Sequence, residues 1–269
     1  MAEPEVFTFS PDDFAEDEEE LKEVWTVYGE KGTGKTTFIC GFDGSKGIVS
    51  YDRKTKRIKD RMFLGDKDLH IYDGAKFYRA IPKEKMPEAG ARSFAYVVEL
   101  LNRLPEVDWV VHDGLELLIE MAEMKMRHDN GFTTFSGVDF QFWKDRKANL
   151  RLIHGLSLAR AKKGIMYVTY ADEDKLIEDG RLIRQTKAPK WVDIIMSETD
   201  NVVRTEMRPG PNNELRFVAL MQTIKVGPWR NGQVVDVTGR TIVDATAEIE
   251  KEALRRDEAA EEVLNKLFG

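Results

Sequence analysis

Two patterns of apolar residues alternate along the chain. Val24-Trp25-Thr26-Val27-Tyr28, Gly47-Ile48-Val49-Ser50-Tyr51, Leu69-His70-Ile71-Tyr72, Val107–Asp113 and Gly164–Tyr170 are short, almost unbroken apolar runs. Runs of this length predict strands buried on both faces. Between them the apolar positions recur at helical spacing. Phe94, Val97, Val98, Leu101 and Leu104 share one face of a helix expected over Ala91–Leu104, and Pro105 stops it. Further helices are expected over Leu115–Arg127 and Phe140–Lys163, separated by a loop from Asp129 to Val138 that is rich in Gly, Asn, Thr and Ser. Strands alternating with helices imply an α/β fold, a mostly parallel sheet covered by helices on both faces.

The pattern changes after Tyr170. Lys175–Ile177 and Arg181–Ile183 flank Asp179-Gly180, which is a hairpin turn signal. Asn201–Met207 and Leu215–Thr223 read as strands across the Pro-Gly-Pro-Asn-Asn stretch at 209–213, and Val234–Thr241 as one more. These predict a late antiparallel extension of the sheet. Residues 244–269 read as a charged helix, either a packed end-cap or an interaction tail. Residues 1–22 form an acidic arm. The unit between them, 23–243, is expected to be one domain.

Charge and composition narrow the function little. The 269 residues hold 41 Lys and Arg against 48 Asp and Glu, a net charge of −7. Such a chain has no global field for nucleic acid, so any contact with DNA or RNA needs a local patch. The single cysteine, Cys40, cannot form an internal disulfide and suits a reducing compartment. It reads as a small buried apolar residue. The acidic start does not resemble a secretory leader, and no apolar run is long enough to span a membrane. The expected location is the cytoplasm, the host cytoplasm if the protein is viral.

The chemistry concentrates in Gly29-Glu30-Lys31-Gly32-Thr33-Gly34-Lys35-Thr36, which matches Gly-x-x-x-x-Gly-Lys-Thr without departure. It follows an apolar strand and runs into Thr37 and a helix, the context in which backbone N–H groups cradle phosphates. Lys35 is placed to reach the β- and γ-phosphates of ATP, and Thr36 to ligate Mg²⁺. Lys31 has two readings, a phosphate contact or a solvated side chain. Asp113 ends an apolar strand at a plausible distance and would hold the magnesium, usually through water. Hydrolysis also needs a group to activate water. The residue after Asp113 is Gly114, so an adjacent glutamate is absent. Asp52, at the end of the second strand, and Glu116 are the two candidates, with Asp52 preferred. Thr169 ends a strand and could sense the γ-phosphate, or be an ordinary β-branched strand residue. His112 and His154 read as structural histidines.

Charge on the γ-phosphate is often met by a cation from a neighbouring subunit. Lys225, Arg230 and Arg204 lie on or beside the late strands, with Lys225 and Arg230 preferred. Arg53, Lys54, Lys56, Arg57, Lys59 and Arg61 form the densest basic run, either a solvated face or a nucleic-acid backbone contact. Phe132 and Phe135 sit in the 129–138 loop, where they could stack unpaired bases or tuck back onto the domain. Arg181, Arg184, Lys187 and Lys190 add a basic stretch near the hairpin.

The motif at Gly29–Thr36, the strands ending at Asp52 and Asp113, the strand carrying Thr169 and the late β-rich segment together resemble the RecA-like ATPase core. More narrowly they resemble compact P-loop ATPases of phages and archaeal viruses, related to RecA and RadA and linked to single-strand annealing and recombination. The resemblance covers about Val24–Thr241. It implies rings or filaments with ATP between subunits, loops that bind single-stranded DNA, and a water-activating carboxylate distant from Asp113. RecA has Glu at the position of Asp52. Two other classes fit the residues: a small-molecule kinase, with the Arg181 and Arg184 hairpin as its lid, and a nucleotide-dependent assembly, packaging or regulatory protein with a protein partner.

Overall fold

A computed structural model of the chain describes residues 21–63, 65–178, 181–189, 198–251 and 255. The first apolar run forms β1 (Glu23–Gly29), and the P-loop leads into a short helix, α1 (Lys35–Cys40). Then come β2 (Lys46–Ser50), α2 (Lys54–Met62), β3 (Leu69–Asp73), α3 (Met86–Arg103), β4 (Val107–Asp113), α4 (Leu115–Asp129) and α5 (Trp143–Arg160). The remainder is β-rich: β5 (Ala161–Glu178), β6 (Arg181–Pro189), β7 (Asn201–Pro209), β8 (Leu215–Ile224) and β9 (Val234–Asp236), followed by α6, described over 242–251.

Eight of these strands lie side by side in the order β3-β2-β4-β5-β1-β7-β8-β9, and β6 pairs with the end of β5. From β3 to β7 every pairing is parallel; β7–β8, β8–β9 and β5–β6 are antiparallel. The mostly parallel sheet with its antiparallel extension is therefore present as the apolar pattern implied. The sheet buries both faces. Val24, Val110, Ile165 and Tyr167 pack with Phe94, Leu101, Leu118 and Ile153 of α3, α4 and α5. Trp25, Val27, Val111, Met166 and Val168 pack on the other face with Phe38 and Ile39 of α1 and with Ile242 and Ala245 of α6. Neighbours such as Val110 and Val111 point to opposite faces, as strand geometry demands, and each finds a core there.

Several boundaries differ from the sequence expectation. The basic run forms α2, an element that the sequence pattern does not announce. α3 begins at Met86, with Pro87 at its first turn, ahead of the expected Ala91. The long helix is shorter than Phe140–Lys163, because its first turn is a 3-10 turn (Phe140–Phe142) and it ends at Arg160. Ala161 is already strand, paired with Val107. The hairpin arms are longer than expected, spanning Ala171–Glu178 and Arg181–Pro189, while Asp179 and Gly180 themselves lie outside the described residues. β9 stops at Asp236, because Thr238 and Gly239 turn the chain and the bonded Thr241 and Asp244 open α6. The charged helix thus begins at 242, and its first turns pack as an end-cap through Ile242, Ala245 and Ile249. Residues 1–20, most of the acidic arm, lie outside the described residues, as do 252–254 and 256–269.

Candidate functional site

Parallel register brings the ends of β1, β2, β4 and β5 to one edge. Gly29 pairs with Tyr170 and Thr205, and Ser50 with Asp113. Ligands in such sheets sit beyond the carboxyl ends of the strands, and a cleft opens there between the P-loop and the starts of α2 and α4. Lys31, Gly32, Gly34, Lys35, Thr36 and Thr37 form one wall; Asp52, Lys54, Asp113, Glu116 and Thr169 form the other.

Local contacts fix the loop. Gly29 must be glycine, because a Cβ there would lie 2.4 Å from the Thr205 carbonyl oxygen and 2.6 Å from the Thr33 hydroxyl. Thr33 donates to the Glu30 carbonyl at 2.9 Å and stands 2.8 Å from the Thr205 hydroxyl, which clamps the loop to β7. Gly34 takes a φ of 87° immediately before α1, a conformation open to glycine. Glu30 is ion-paired with Lys187 of β6, so the hairpin leans on the loop. Lys31 is exposed. Lys35 donates to the carbonyls of Gly29 and Glu30 at 2.8 and 2.7 Å. Burial pushes its ammonium down to about 8, against the opposing pull of Asp113 and Glu116.

Opposite the loop stands Asp113, 4% exposed. Its Oδ2 accepts from Thr36 Oγ1 at 3.1 Å and from Thr55 Oγ1 at 2.5 Å. Burial lifts this carboxyl to about 6, and the two hydroxyls moderate the rise. A buried carboxylate facing a threonine hydroxyl is an all-oxygen donor set that suits Mg²⁺, which is held by one or two protein oxygens while waters and phosphate complete its shell. Thr36 and Asp113 therefore fit the metal that the motif implies. Among the described residues no group of three or more His, Cys, Asp or Glu could hold a metal by protein ligands alone.

Both candidate water-activating carboxylates line the cleft. Glu116 Oε1 accepts from Thr169 Oγ1 at 2.7 Å and from the Tyr170 backbone N–H, so α4 is pinned to the tip of β5. Asp52 lies just past β2 and accepts from the Lys54 backbone N–H at 2.9 Å and from Lys54 Nζ at 2.6 Å.

The basic run divides. Lys54 lines the P-loop cleft, whereas Arg53, Lys56 and Arg57 line a separate concavity with Tyr72, Asp60 and Asp73. The run is thus not one continuous strip. Arg53 is paired with Asp73 at 2.8 Å. Phe132 tucks against Phe142 with ring centroids 4.9 Å apart, but Phe135 is 67% exposed. Lys225 and Arg230 follow β8, whose end pairs with Asn201 at the amino edge of the sheet. Lys225 donates there to the Thr199 carbonyl at 2.7 Å. Arg204 is paired with Glu206 on β7. Lys190 and the side chains of Arg181 and Arg184 lie outside the described residues.

Cys40 is buried, its thiol pushed up to about 12 by that burial. His112 and His154 are structural. Ser157 donates to the Ile153 carbonyl at 2.7 Å, so its oxygen accepts from His112 Nε2 at 2.8 Å. Tyr51 Oη, 3.0 Å away, then donates to His112 Nδ1. His154 Nδ1 lies 2.9 Å from Tyr167 Oη. Two members of the site had little sequence signal. Thr55 and Lys54 sit in a charge run, and only the approach of β2 to β4 and β5 brings them to Asp113 and Tyr170.

The strand order, the P-loop after β1, Asp52 just past β2, Asp113 closing β4, Thr169 on β5 and the antiparallel β7–β9 give the chain a RecA-like P-loop fold. No family model and no curated protein sequence matches the chain. Among solved structures, the RadB recombinase is similar with a TM-score of 0.43 and 13% identity, over 80% of this chain and 86% of that one. An ATPase from the type III secretion system of pathogenic bacteria is similar with a TM-score of 0.39 and 10% identity, over 68% of this chain and 52% of that one.

Proposed function

We propose that this chain is a Mg²⁺-dependent ATPase of RecA-like type that couples ATP binding and hydrolysis to the handling of single-stranded DNA. The convergence of Lys35, Thr36 and Asp113 in one cleft supports the ATPase reading: an ammonium for the phosphates, and a hydroxyl and a carboxylate for the metal between them. Asp52 and Glu116 are the carboxylates near enough to orient water. Both already accept two hydrogen bonds, Glu116 from Thr169 and the Tyr170 backbone and Asp52 from Lys54; the Lys54 ammonium on Asp52 is exposed to water and exchangeable, so Asp52 is the preferred base and Glu116 the link between the strand tip and α4.

The DNA reading draws support from two surface features. Phe135 projects from the loop after α4, and Lys56 and Arg57 are exposed beside Tyr72. The same reading has the protein acting as a cytoplasmic ring or filament. Lys225 and Arg230 lie at the sheet edge remote from their own P-loop, so they can meet a γ-phosphate only in a neighbouring copy.

Steady-state ATP hydrolysis with Mg²⁺ at low salt, with and without single-stranded DNA, tests the proposal. Turnover that rises with DNA and vanishes in Lys35→Ala is the expected result. Turnover indifferent to DNA overturns the coupling and favours a protein partner. ATP consumption only after adding a small-molecule acceptor overturns hydrolysis in favour of a kinase.

A further inference from the structure

Hydrolysis moves negative charge through the γ-phosphoryl group, and a cation must meet it there. Lys225 and Arg230 can do so only from another copy. The cleft itself, however, is lined by Lys31 and Lys54 besides Lys35, and of these two Lys54 is the one bonded to a cleft carboxylate, Lys31 being exposed on the loop. Arg53 adopts a φ of 62°, rare for a residue with a side chain, and this turns the chain into α2 immediately after Asp52. Lys54 is thereby aimed at the cleft. Its Nζ lies 2.6 Å from Asp52 Oδ2 and 2.8 Å from Tyr170 Oη. Lys35 Nζ stands 4.5 Å from the centroid of the same Tyr170 ring, and Lys54 Nζ 5.6 Å from it. Two ammoniums from different elements thus flank one tyrosine, facing Thr36, Asp113 and Thr169.

The Lys54–Asp52 pair is also built to exchange. The two side chains are 47% and 30% exposed, and ion pairs so open to water are held weakly. A triphosphate carries more charge than one carboxylate and competes well for the ammonium. The long, flexible lysine stem allows the move.

We propose that Lys54 is a catalytic cation acting in cis. Resting on the ATPase reading above, Lys54 leaves Asp52 for a γ-phosphoryl oxygen when ATP binds, and this frees the Asp52 carboxylate to orient the attacking water. The water oxygen then bonds to the γ-phosphorus, and the bridging P–O bond breaks with its electron pair going to ADP. The water proton passes to Asp52 and from there to the departing phosphate. Recognition of ATP and exposure of the base become one event, without a second subunit.

The test compares full-length wild type with Lys54→Met, which keeps the stem and drops the charge, and Lys54→Arg, which restores charge. The readouts are kcat for ATP, affinity for ADP, and affinity for ADP with aluminium fluoride as a transition-state mimic. In Lys54→Met, kcat and affinity for the mimic fall by about 100-fold or more, ADP affinity is unchanged, and Lys54→Arg recovers part of the loss. Wild-type turnover in Lys54→Met, or a loss of ADP affinity equal to the loss for the mimic, overturns the cis cation alone. A wild type that binds ATP and does not hydrolyse it overturns the ATPase reading and this inference with it.

Discussion

Tyr51, His112, Tyr167 and His154 form a column of nearly parallel rings between the sheet and α5. Both histidines are held neutral by burial, His112 pushed down to about 3 and His154 below its ordinary value, the latter against the pull of Glu198. An unfolded chain takes up these protons near pH 6.5. The stability they supply is therefore complete above that pH and is lost as pH falls towards the folded-state values. Asp113 works the other way: its folded value of about 6 exceeds the unfolded one, so the native state gains a proton first and is stabilised on acidification. Comparison of wild type with His112→Asn cancels the Asp113 contribution. Between pH 6 and 4, urea unfolding is expected to show the wild type losing about 1.4 kcal/mol more per pH unit than the variant. Equal slopes would mean that His112 protonates in the native state. At this scale the sequence is legible where a residue type carries its own chemistry. Lys35 and Thr36 are legible through the motif's spacing and Asp113 through the apolar strand it ends, and the three line one cleft. Thr55 and Lys54 are not, because their roles arise from neighbours distant in sequence.

The elements that burial dictates were the ones legible beforehand. β1, β2, β4 and the core of β5 are short apolar runs, and each pairs within the parallel sheet. α2 was hidden because Lys54, Lys56, Arg57, Lys59 and Arg61 leave Ile58 and Met62 as its apolar positions, too few for a helical pattern to stand out; among its described side chains Thr55 is the one fully buried. The far half of β5 was hidden by Asp172, Glu173 and Asp174, which pair along β6. α3 offered a signal at Pro87, since proline favours the first turn. That helix also contains Gly90, where a Cβ would lie 2.3 Å from Met124 Cβ of α4. Alanine in a helix interior ordinarily gains about 1 kcal/mol over glycine. Here the intruding atom meets the root of a side chain, which cannot swing away, so α3 and α4 must part. Gly90→Ala is expected to destabilise the fold by about 1–3 kcal/mol, as overpacking does. Denaturant unfolding measures it, and a stabilised variant would show that the two helices are free to separate.

At the scale of the molecule, α4 joins the cleft to the surface that could meet DNA. Its first turn holds Glu116 against Thr169 and Tyr170, and its fifteen residues carry the chain about 22 Å. At the far end Arg127 donates to the carbonyls of Thr133 and Ser136 at 3.1 and 2.9 Å, which orders the loop beneath Phe135. A base stacked on Phe135 would therefore bear on a helix whose other end touches the P-loop cleft. The concavity of Arg53, Lys56 and Arg57 is a different surface, beyond β2 and β3, and the two make separable predictions. Base–aromatic stacking contributes about 1–3 kcal/mol. Phe135→Ala is expected to weaken single-stranded DNA binding about 10-fold or more and to collapse the ratio of DNA-stimulated to basal turnover, with little change in salt dependence. Lys56→Ala with Arg57→Ala instead removes charge, and should lower the salt slope of binding by about 1–2 phosphate contacts. Fluorescence anisotropy of a labelled oligonucleotide across a salt series, paired with turnover assays, separates the two. If Phe135→Ala binds and responds to DNA as the wild type does, the loop after α4 is not the contact, and α4 does not carry the signal. If only the double charge variant changes, the strand runs past β3, and the exchange proposed for Lys54, at the start of the α2 helix that carries Lys56 and Arg57, becomes the nearer route from DNA to ATP.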